Sequence, residues 1–416
     1  MKVDRRAFLA GIAAAASGCV PRASGEFPIG VASHVYGPTN AVLWTRALTA
    51  TRLDVAYWRE GLDESMAEHF EAEVKDGVVH AQVEGLEPNT RYNFLFTTAD
   101  GLRSDVGSVR TQPPVDSLVP VTIGATSCIK DTHPDDALAH AATRSDLDAF
   151  IFLGDTIYAD RAITLADYRR EWLQGLAGPG YRALRGSTSL ISLWDDHEVY
   201  NDWEATRVNK NRLSYGQQTF IDHQPGTPVG PMWRKLSWGA TVDLFVLDSR
   251  SERDVANGIY ISKEQAAWLI EEVRTSRAMF KLILNSVPIS SFDSPLFALF
   301  AKDNWLSCPA QRDEVLQGLE DTGATGVHFL SGDFHFATVG RVSPEGKPGS
   351  KLMEFLVGPG AQNPNPSPTY PSKPQWDFAS GINNYATFAM EPEKRLMTVK
   401  YHRGDGRVLF EAEYPA

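Results

Sequence analysis

The chain has 416 residues, of which 43% are apolar and 22% are charged, a composition typical of soluble globular proteins and a length that favours two domains. The net charge of −12 and the lack of a Lys- or Arg-rich run exclude a general electrostatic attraction for nucleic acid, so we expect no nucleic-acid-binding surface. No stretch is long and apolar enough to predict a membrane-spanning helix.

Residues 1–26 have the layout of an export signal, with a basic start, a short apolar run and small residues behind it. The pair Arg5–Arg6 favours the twin-arginine route; the alternative is a Sec signal that contains two arginines. Cys19 closes the sequence "ASGC", which is similar to a lipobox but has Ala16 where Leu is usual. We therefore predict an exported protein, periplasmic or extracellular, with Cys19 as a candidate lipid anchor to the membrane.

Residues 27–112 contain short segments in which apolar and polar residues alternate between turn signals, which is the pattern of β-strands. The clearest are Ala41–Arg46, Arg52–Trp58, Val78–Leu86 and Arg91–Thr98. The segment "GLEPNTRYNFLF" resembles the loop and tyrosine corner of fibronectin type III domains, with Tyr92 at the corner position. We predict a small fibronectin III-like all-β domain here, followed by a linker at 113–120.

From 121 to 416 the pattern changes to continuously apolar strands that alternate with amphipathic helices. Strands without alternation are typical of sheets that are covered on both faces. We predict one layered α/β domain over 121–416. Its low-complexity segment, Asn363–Pro374, is predicted to be an ordered surface loop or a lid.

Six of these strands end in residues of types that bind metal ions or phosphate. The residues concerned are Cys128, Asp155, the run Asp195–His197, Asp248, Asn285, and the pair Asp333 and His335. The carboxyl edge of an α/β sheet is where ligand sites assemble. Carboxylates crowded at one edge repel each other unless multivalent cations lie between them. The mixture of carboxylate, imidazole and thiol indicates metals other than Mg²⁺ alone.

Two metal ions about 3.5–4 Å apart would suit the hydrolysis of a phosphate ester, because one would make hydroxide available near neutral pH and both would stabilise charge on the phosphoryl oxygens. Two interpretations of Cys128 stay open at this point. It is either a metal ligand or the partner of Cys308 in a disulfide, since these are the two cysteines beyond the signal segment. A serine hydrolase is not indicated, since the chain has no G-x-S-x-G motif.

The segments "TSC", "GDTIYAD", "WDDHEV" and "SGDFHF" occur in an order and spacing that resemble the alkaline phosphatase D (PhoD-like) family of metallophosphoesterases. The resemblance covers nearly the whole chain after the signal segment. It implies a layered β-sandwich-type metallophosphoesterase core with helices outside, preceded by the fibronectin III-like domain. It also implies Fe³⁺ together with one or two Ca²⁺ ions, with other divalent metals as alternatives.

The resemblance also assigns roles to the matching residues. The metal ligands that it implies are Cys128, Asp155, Tyr158, Asp196, Asp333 and His335. Cys128 and Tyr158 would bind the ferric ion, and Asp155 would bridge it to its neighbour. A locally extended chain would turn the side chains of Asp333 and His335 to the same side. Asn285 lies where many relatives carry a Gln-rich segment, and we predict either a further metal ligand or a strand-end cap.

His197 directly follows a predicted ligand, so it would stand beside the substrate as the catalytic residue. We predict that it stabilises the transition state and protonates the leaving alkoxide, which is worth roughly 10²–10⁴-fold; the alternative is a structural pair with Glu198. Asp195 and Glu198 are predicted to support the loop rather than to bind metal. Arg250, in the segment "LDSR", would either bind phosphate or belong to a structural turn.

The sequence thus predicts an exported, metal-dependent phosphoric ester hydrolase, an alkaline phosphatase or phosphodiesterase, whose substrate is a phosphate ester. Two alternatives stay open: a strict phosphodiesterase of phospholipase type, and a non-catalytic exported protein whose acidic loops bind Ca²⁺. The second alternative accounts for the acidic residues but not for Cys128, Tyr158 and His197 at the same edge.

Overall fold

A computed structural model describes residues 25–291, 303–365 and 376–416 of the chain. The predicted export signal, apart from its last two residues, and the greater part of the low-complexity segment Asn363–Pro374 lie outside these ranges. Within them, no helix combines the length and the hydropathy that crossing a bilayer requires.

The N-terminal region is built of strands, as predicted, with one short 3-10 turn at Glu64–Met66. The strands are β1 (Val31–Gly37), β2 (Asn40–Arg46), β3 (Arg52–Arg59), β4 (Glu68–Glu73), β5 (Val78–Val83), β6 (Arg91–Thr97) and β7 (Gly107–Arg110). β4, β3, β6 and β7 form a four-stranded sheet that packs against the sheet of β1, β2 and β5. The hydroxyl of Tyr92 accepts a hydrogen bond of 3.0 Å from the backbone N–H of Glu87, which is the contact that defines a tyrosine corner.

The first core sheet includes β1, β2 and β5 of the N-terminal region. It adds β8 (Val121–Thr126), β9 (Ala149–Leu153), β10 (Ser189–Leu193), β18 (Asn384–Glu391), β19 (Leu396–Arg403) and β20 (Val408–Pro415). The order of its nine strands is β20-β19-β18-β8-β9-β10-β1-β2-β5, and β8, β9 and β10 are parallel. The junction between β1 and β10 is one residue pair, Ser33 with Ser189. A hydrogen bond of 2.6 Å between His34 Nδ1 and the carbonyl of Leu190 reinforces it.

The second core sheet has seven strands in the order β11-β12-β13-β14-β16-β15-β17. They are β11 (Arg234–Trp238), β12 (Val242–Val246), β13 (Phe280–Leu284), β14 (Val327–Ser331), β15 (Ala337–Arg341), β16 (Met353–Leu356) and β17 (Trp376–Ser380). β12, β13, β14 and β16 are parallel. The two core sheets pack face to face, and the apolar space between them includes Ile151 of the first sheet and Leu282 of the second.

Helices cover the outer faces of both core sheets. They are α1 (Asp136–Ala142), α2 (Leu165–Gly175), α3 (Pro179–Ser187), α4 (Lys210–His223), α5 (Lys263–Thr275) and α6 (Pro309–Asp321). Along β9, Ile151 faces the other sheet while Phe150 and Phe152 pack under Trp172 and its helical neighbours. A strand that is buried on both faces has no polar side to display, which explains the continuous apolar runs in the sequence. The predicted layered α/β architecture is confirmed.

Candidate metal centre

The loops after β8, β9 and β10 of the first sheet and after β13, β14 and β16 of the second are joined by backbone contacts at one edge. The N–H of Cys128 donates to the carbonyl of Gly154 at 3.2 Å, and the N–H of Val357 donates to the carbonyl of Ser331 at 2.8 Å. Gly154 has a φ of +100°, and a Cβ atom there would lie 2.6 Å from the Cβ of Asp195. A glycine is therefore needed for the loops after β9 and β10 to approach each other.

Four predicted metal ligands lie in left-handed backbone: φ is 57° at Cys128, 55° at Asp155, 73° at Asp333 and 54° at His335. The expectation of an extended chain from Asp333 to His335 is therefore wrong; a tight turn with two left-handed residues presents both side chains. Such a conformation costs about 1–2 kcal/mol for each residue that is not glycine. Strain concentrated in this way is typical of a functional site.

These loops bring the predicted ligands together around Asp155. Four sets of described side chains each have ligand atoms within 4.8 Å of one another. Three of them contain Asp155: Cys128, Asp155 and His335; Asp155, Asp196 and His197; and Asp155, Asp195 and Asp333. The fourth set is Asp196, Asp202 and Asp303. Asp155, which the first three sets share, is fully buried. It therefore has the position that a carboxylate bridging two metal ions would need.

Tyr158 lies at the thiol side of the cluster. Its hydroxyl is 3.4 Å from Asp155 Oδ2 and 3.3 Å from His335 Nε2. Burial and the neighbouring Asp155 and Cys128 raise the pKa of the Tyr158 hydroxyl well above its usual range, against an opposing effect of the Gln362 side chain. The phenol lies close to the Asp155 carboxylate and to the His335 imidazole, and the Cys128 thiol shares a set of potential ligands with both Asp155 and His335.

Simultaneous ionisation of the acids and the thiol of this cluster is strongly unfavourable. Burial and the Asp155 and Asp333 carboxylates raise the pKa of the Cys128 thiol well above its usual range. Burial and the other acids likewise raise the pKa of Asp155 and of Asp333 well above the ordinary carboxyl value. Three buried carboxylate oxygens of this cluster have no hydrogen-bond partner among the described residues: Asp155 Oδ1, Asp195 Oδ2 and Asp196 Oδ1. Multivalent cations would both neutralise the repulsion and engage these oxygens, so the residues present fit a metal centre.

Arg250 is fully buried and is bound by acids from several loops. Its Nε lies 2.6 Å from Asp195 Oδ1, and its two terminal nitrogens lie 2.8 and 2.5 Å from the oxygens of Asp303. Burial would raise the pKa of Asp196, but Arg250 and His197 outweigh burial and lower it to about 2. Of the two roles predicted for Arg250, the structure favours the structural one, because its guanidinium is committed to these carboxylates.

His197 lies beside the cluster and is held by Asp160. Its Nδ1 donates to Asp160 Oδ1 at 2.8 Å, and its ring centroid is 4.2 Å from that of Tyr158. Burial would lower the pKa of His197, but Asp196 and Asp160 outweigh it and raise the pKa to about 9. Because Nδ1 is used by Asp160, Nε2 is the nitrogen left to meet a substrate. The alternative pair with Glu198 is absent, since that carboxylate is occupied elsewhere.

Glu198 and Asp195 differ in their roles. Glu198 accepts hydrogen bonds from the backbone N–H and the hydroxyl of Thr156, at 2.6 and 2.7 Å, and from the N–H of Asp195 at 2.8 Å. It therefore braces the loops after β9 and β10, as a support would. Asp195 has one oxygen bound by Arg250 and by the Ser286 hydroxyl, while its free Oδ2 lies in the set with Asp155 and Asp333. Asp195, which was predicted to be a support, therefore also lies in a set that could hold a metal ion.

Asn285 is held by hydrogen bonds within the protein. Its Oδ1 accepts from the Ser249 hydroxyl at 2.8 Å, and its Nδ2 donates to the carbonyl of Val287. Both ends of the amide are thus engaged within the protein, which favours the strand-end cap among the two predicted roles. Cys128 and Cys308 are both free and buried, so the alternative of a disulfide between them is wrong.

The chain is similar to known phosphatases along most of its length. The family described as "PhoD-like phosphatase" matches residues 124–413, and "PhoD-like phosphatase, N-terminal domain" matches residues 13–113. Alkaline phosphatase D of Bacillus subtilis (strain 168) is 26% identical over 380 residues, an alignment that covers 74% of this chain and 64% of that protein. The chain therefore spans less than two thirds of the length of this relative.

The fold is also found among solved structures. A structure of PhoD superposes with a TM-score of 0.80 at 22% identity, covering 94% of this chain and 89% of the other. The purple acid phosphatase PPD1 from yellow lupin (Lupinus luteus) superposes with a TM-score of 0.69 at 11% identity, covering 93% and 73%. The two-sheet core with its N-terminal all-β region is thus the architecture found in both.

Proposed function

The chain belongs to the PhoD-like phosphatase family, and from that premise we propose that it hydrolyses phosphoric esters in a metal-dependent reaction. The observation that carries the proposal is the position of Asp155, which is shared by three sets of potential ligands at one sheet edge. Bound cations would supply the chemistry that activates water and stabilises negative charge on the phosphoryl group.

The residues of the chain divide the remaining work among themselves. We propose that Cys128, Asp155, Tyr158, Asp195, Asp196, Asp333 and His335 hold the metal ions. His197 lies next to this set and, with Asp160 on its Nδ1, directs Nε2 toward the leaving group, where it delivers a proton. Arg250 fixes Asp195 and balances the charge of the acids around it.

The donor types support Fe³⁺ on one side of Asp155 and Ca²⁺ on the other. Thiol, phenol and imidazole donors from Cys128, Tyr158 and His335 lie close to one another, and such donors suit a transition metal. The carboxylates of Asp195 and Asp196 belong to the other two sets around Asp155, and carboxylates suit a hard cation such as Ca²⁺. A non-catalytic Ca²⁺-binding protein would have no need for the thiol, the phenol or the oriented imidazole.

Metal analysis combined with rate measurements tests this proposal. We expect the purified protein to contain iron and calcium and to hydrolyse 4-nitrophenyl phosphate, bis(4-nitrophenyl) phosphate or both. The ratio of the two rates separates a phosphatase from a strict phosphodiesterase. A chelator should abolish the activity, and Fe³⁺ with Ca²⁺ should restore it.

The two free cysteines offer a matched pair of variants for the iron site. Cys128→Ser should lose bound iron, the visible absorption of ferric iron bound to thiolate or phenolate, and most of the activity. Cys308→Ser should keep all three, since Cys308 is buried among the apolar residues between the second core sheet and the helices that cover it. Full activity in an iron-free preparation, or equal behaviour of the two variants, would contradict the ferric site.

We further propose that the protein is exported by the twin-arginine route, supported by Arg5–Arg6 and the small-residue run behind them. Replacing both arginines with lysine should retain the protein in the cytoplasm, as measured by cell fractionation. Arg22→Lys is the matched control and should leave export unchanged. Labelling with a radioactive fatty acid would show whether Cys19 is a lipid anchor.

A further inference from the structure

The metal centre is accessible to solvent through its half-buried members. The candidate ligands Tyr158 and His335 and the proposed proton donor His197 are half-buried, whereas Asp155 is fully buried. Lys130, in the loop after β8, is half-buried as well. Since a substrate can touch only side chains that keep some exposed surface, it must approach the centre beside Tyr158, His197 and His335.

The backbone of Lys130 is fixed at this centre. The N–H of Ile129 donates to the carbonyl of Asp155 at 2.8 Å, and the N–H of Lys130 donates to the carbonyl of Ala361 at 2.8 Å. The carbonyl of Lys130 accepts from the N–H of His133 at 3.0 Å, which closes a turn. The loops after β9 and β16 thereby hold the loop after β8, so the side chain of Lys130 starts from a defined point next to the ligands.

The ammonium group of Lys130 lies against Tyr158. Its nitrogen is 5.3 Å from the centroid of the Tyr158 ring, which is the distance of a cation–π contact, and the same ring is 4.2 Å from that of His197. Burial lowers the pKa of His335 to about 4, and the positive charges of His197 and Lys130 act in the same direction. Lys130 thus adds positive charge beside both a candidate ligand and the proposed proton donor.

The charge of Lys130 is not used within the protein, since it forms no ion pair with a carboxylate of any described residue. Arg250, the buried cation of this centre, is by contrast committed to Asp195 and Asp303. Lysine is a flexible point charge that binds phosphate oxygens. The ammonium group of Lys130 is therefore available to an anionic substrate at the accessible part of the centre.

The two classes of phosphoric ester differ in the charge that they would present to Lys130. A monoester has three terminal phosphoryl oxygens, which share about two negative charges at pH 7 and above. A diester has two terminal oxygens, which share one negative charge, and a second ester group in place of the third. We propose, on the basis of the phosphoester hydrolysis proposed above, that Lys130 is a specificity-determining residue, whose ammonium group binds a terminal oxygen of a phosphomonoester and favours monoesters over diesters.

Rates on the two esters, measured with the full, metal-loaded chain at low ionic strength, test this role. Lys130→Gln should lower kcat/KM about tenfold for 4-nitrophenyl phosphate, as expected for a charged hydrogen bond at a half-exposed site, and no more than about threefold for bis(4-nitrophenyl) phosphate. The inhibition constant of inorganic phosphate should rise about tenfold as well. Lys130→Arg should keep most of the wild-type ratio of the two rates, and added salt should reduce the difference between wild type and Lys130→Gln.

Lys351→Gln is the matched control, because it removes an exposed lysine just before β16, at the end of the strand that is opposite the metal centre. It should change neither rate, and Lys130→Gln should keep the metal content and the melting temperature of the wild type. A wild-type protein that hydrolyses neither ester would overturn the proposed function and this inference with it. An active wild type would overturn this inference alone if Lys130→Gln lost bound metal, or if it left the ratio of the two rates unchanged.

Discussion

Asp155→Asn should reduce phosphoester hydrolysis by about 10³-fold or more, because the bound metals contribute several kcal/mol to transition-state stabilisation and each 1.36 kcal/mol is tenfold in rate. The substitution keeps the shape of the side chain and removes the charge that three sets of ligands share. In the metal-free protein the loss of a carboxylate among like charges relieves repulsion. We therefore expect the melting temperature of the chelated variant to equal or exceed that of the chelated wild type.

The gain in melting temperature on adding metal separates a lost metal site from a lost fold. Cations that bind the folded state alone stabilise it by about 2.7 kcal/mol at 100 times the dissociation constant. This gain should be present in the wild type and largely absent in Asp155→Asn. Asp131→Asn is the matched control, since it removes an exposed carboxylate from the same region, and it should retain both activity and the gain. An Asp155→Asn enzyme with near wild-type rates would refute the bridging role.

The sequence predicts much of this centre because its chemistry lies at strand ends. A continuous apolar run such as 149–153 indicates a strand that is buried on both faces. The polar residue that follows such a run must then lie at the carboxyl edge of the sheet. Cys128, Asp155 and Asp196 were found in this way. The tyrosine corner at Tyr92 was found through a short local motif whose hydrogen bond spans five residues.

What the sequence did not predict depends on contacts between distant segments. Asp303 lies 53 residues from Arg250, and no local pattern marks it as a partner of that guanidinium. Asp160 lies 37 residues before His197 and belongs to another loop. The left-handed backbone at Asp333 and His335 was missed because neither is glycine and the tertiary packing imposes it. The role of Asn285 stayed open between ligand and cap, since its partners, Ser249 and the carbonyl of Val287, are fixed by the fold.

His197→Ala should lower the rate of hydrolysis by roughly 10²–10⁴-fold when the leaving group is an alkoxide, because the variant has no group to protonate it. A leaving group that is stable as an anion needs less help. For 4-nitrophenyl phosphate we therefore expect a clearly smaller loss than for a simple alkyl phosphate. Metal content should be unchanged, since the other members of the cluster stay in place.

Asp160 acts through His197, and the order of the effects tests this. Asp160→Asn should cost about 10–100-fold, the range seen when a residue that orients a ligand or catalytic group is lost. Adding Asp160→Asn to His197→Ala should cost little more, because a positioning residue has no effect once the group it positions is gone. Two results would contradict these roles: losses that multiply in the double variant, or an equal slowing of both substrates by His197→Ala. In either case His197 would be stabilising the phosphoryl group or the loop. The proton transfer would then have to be assigned to another residue or to water.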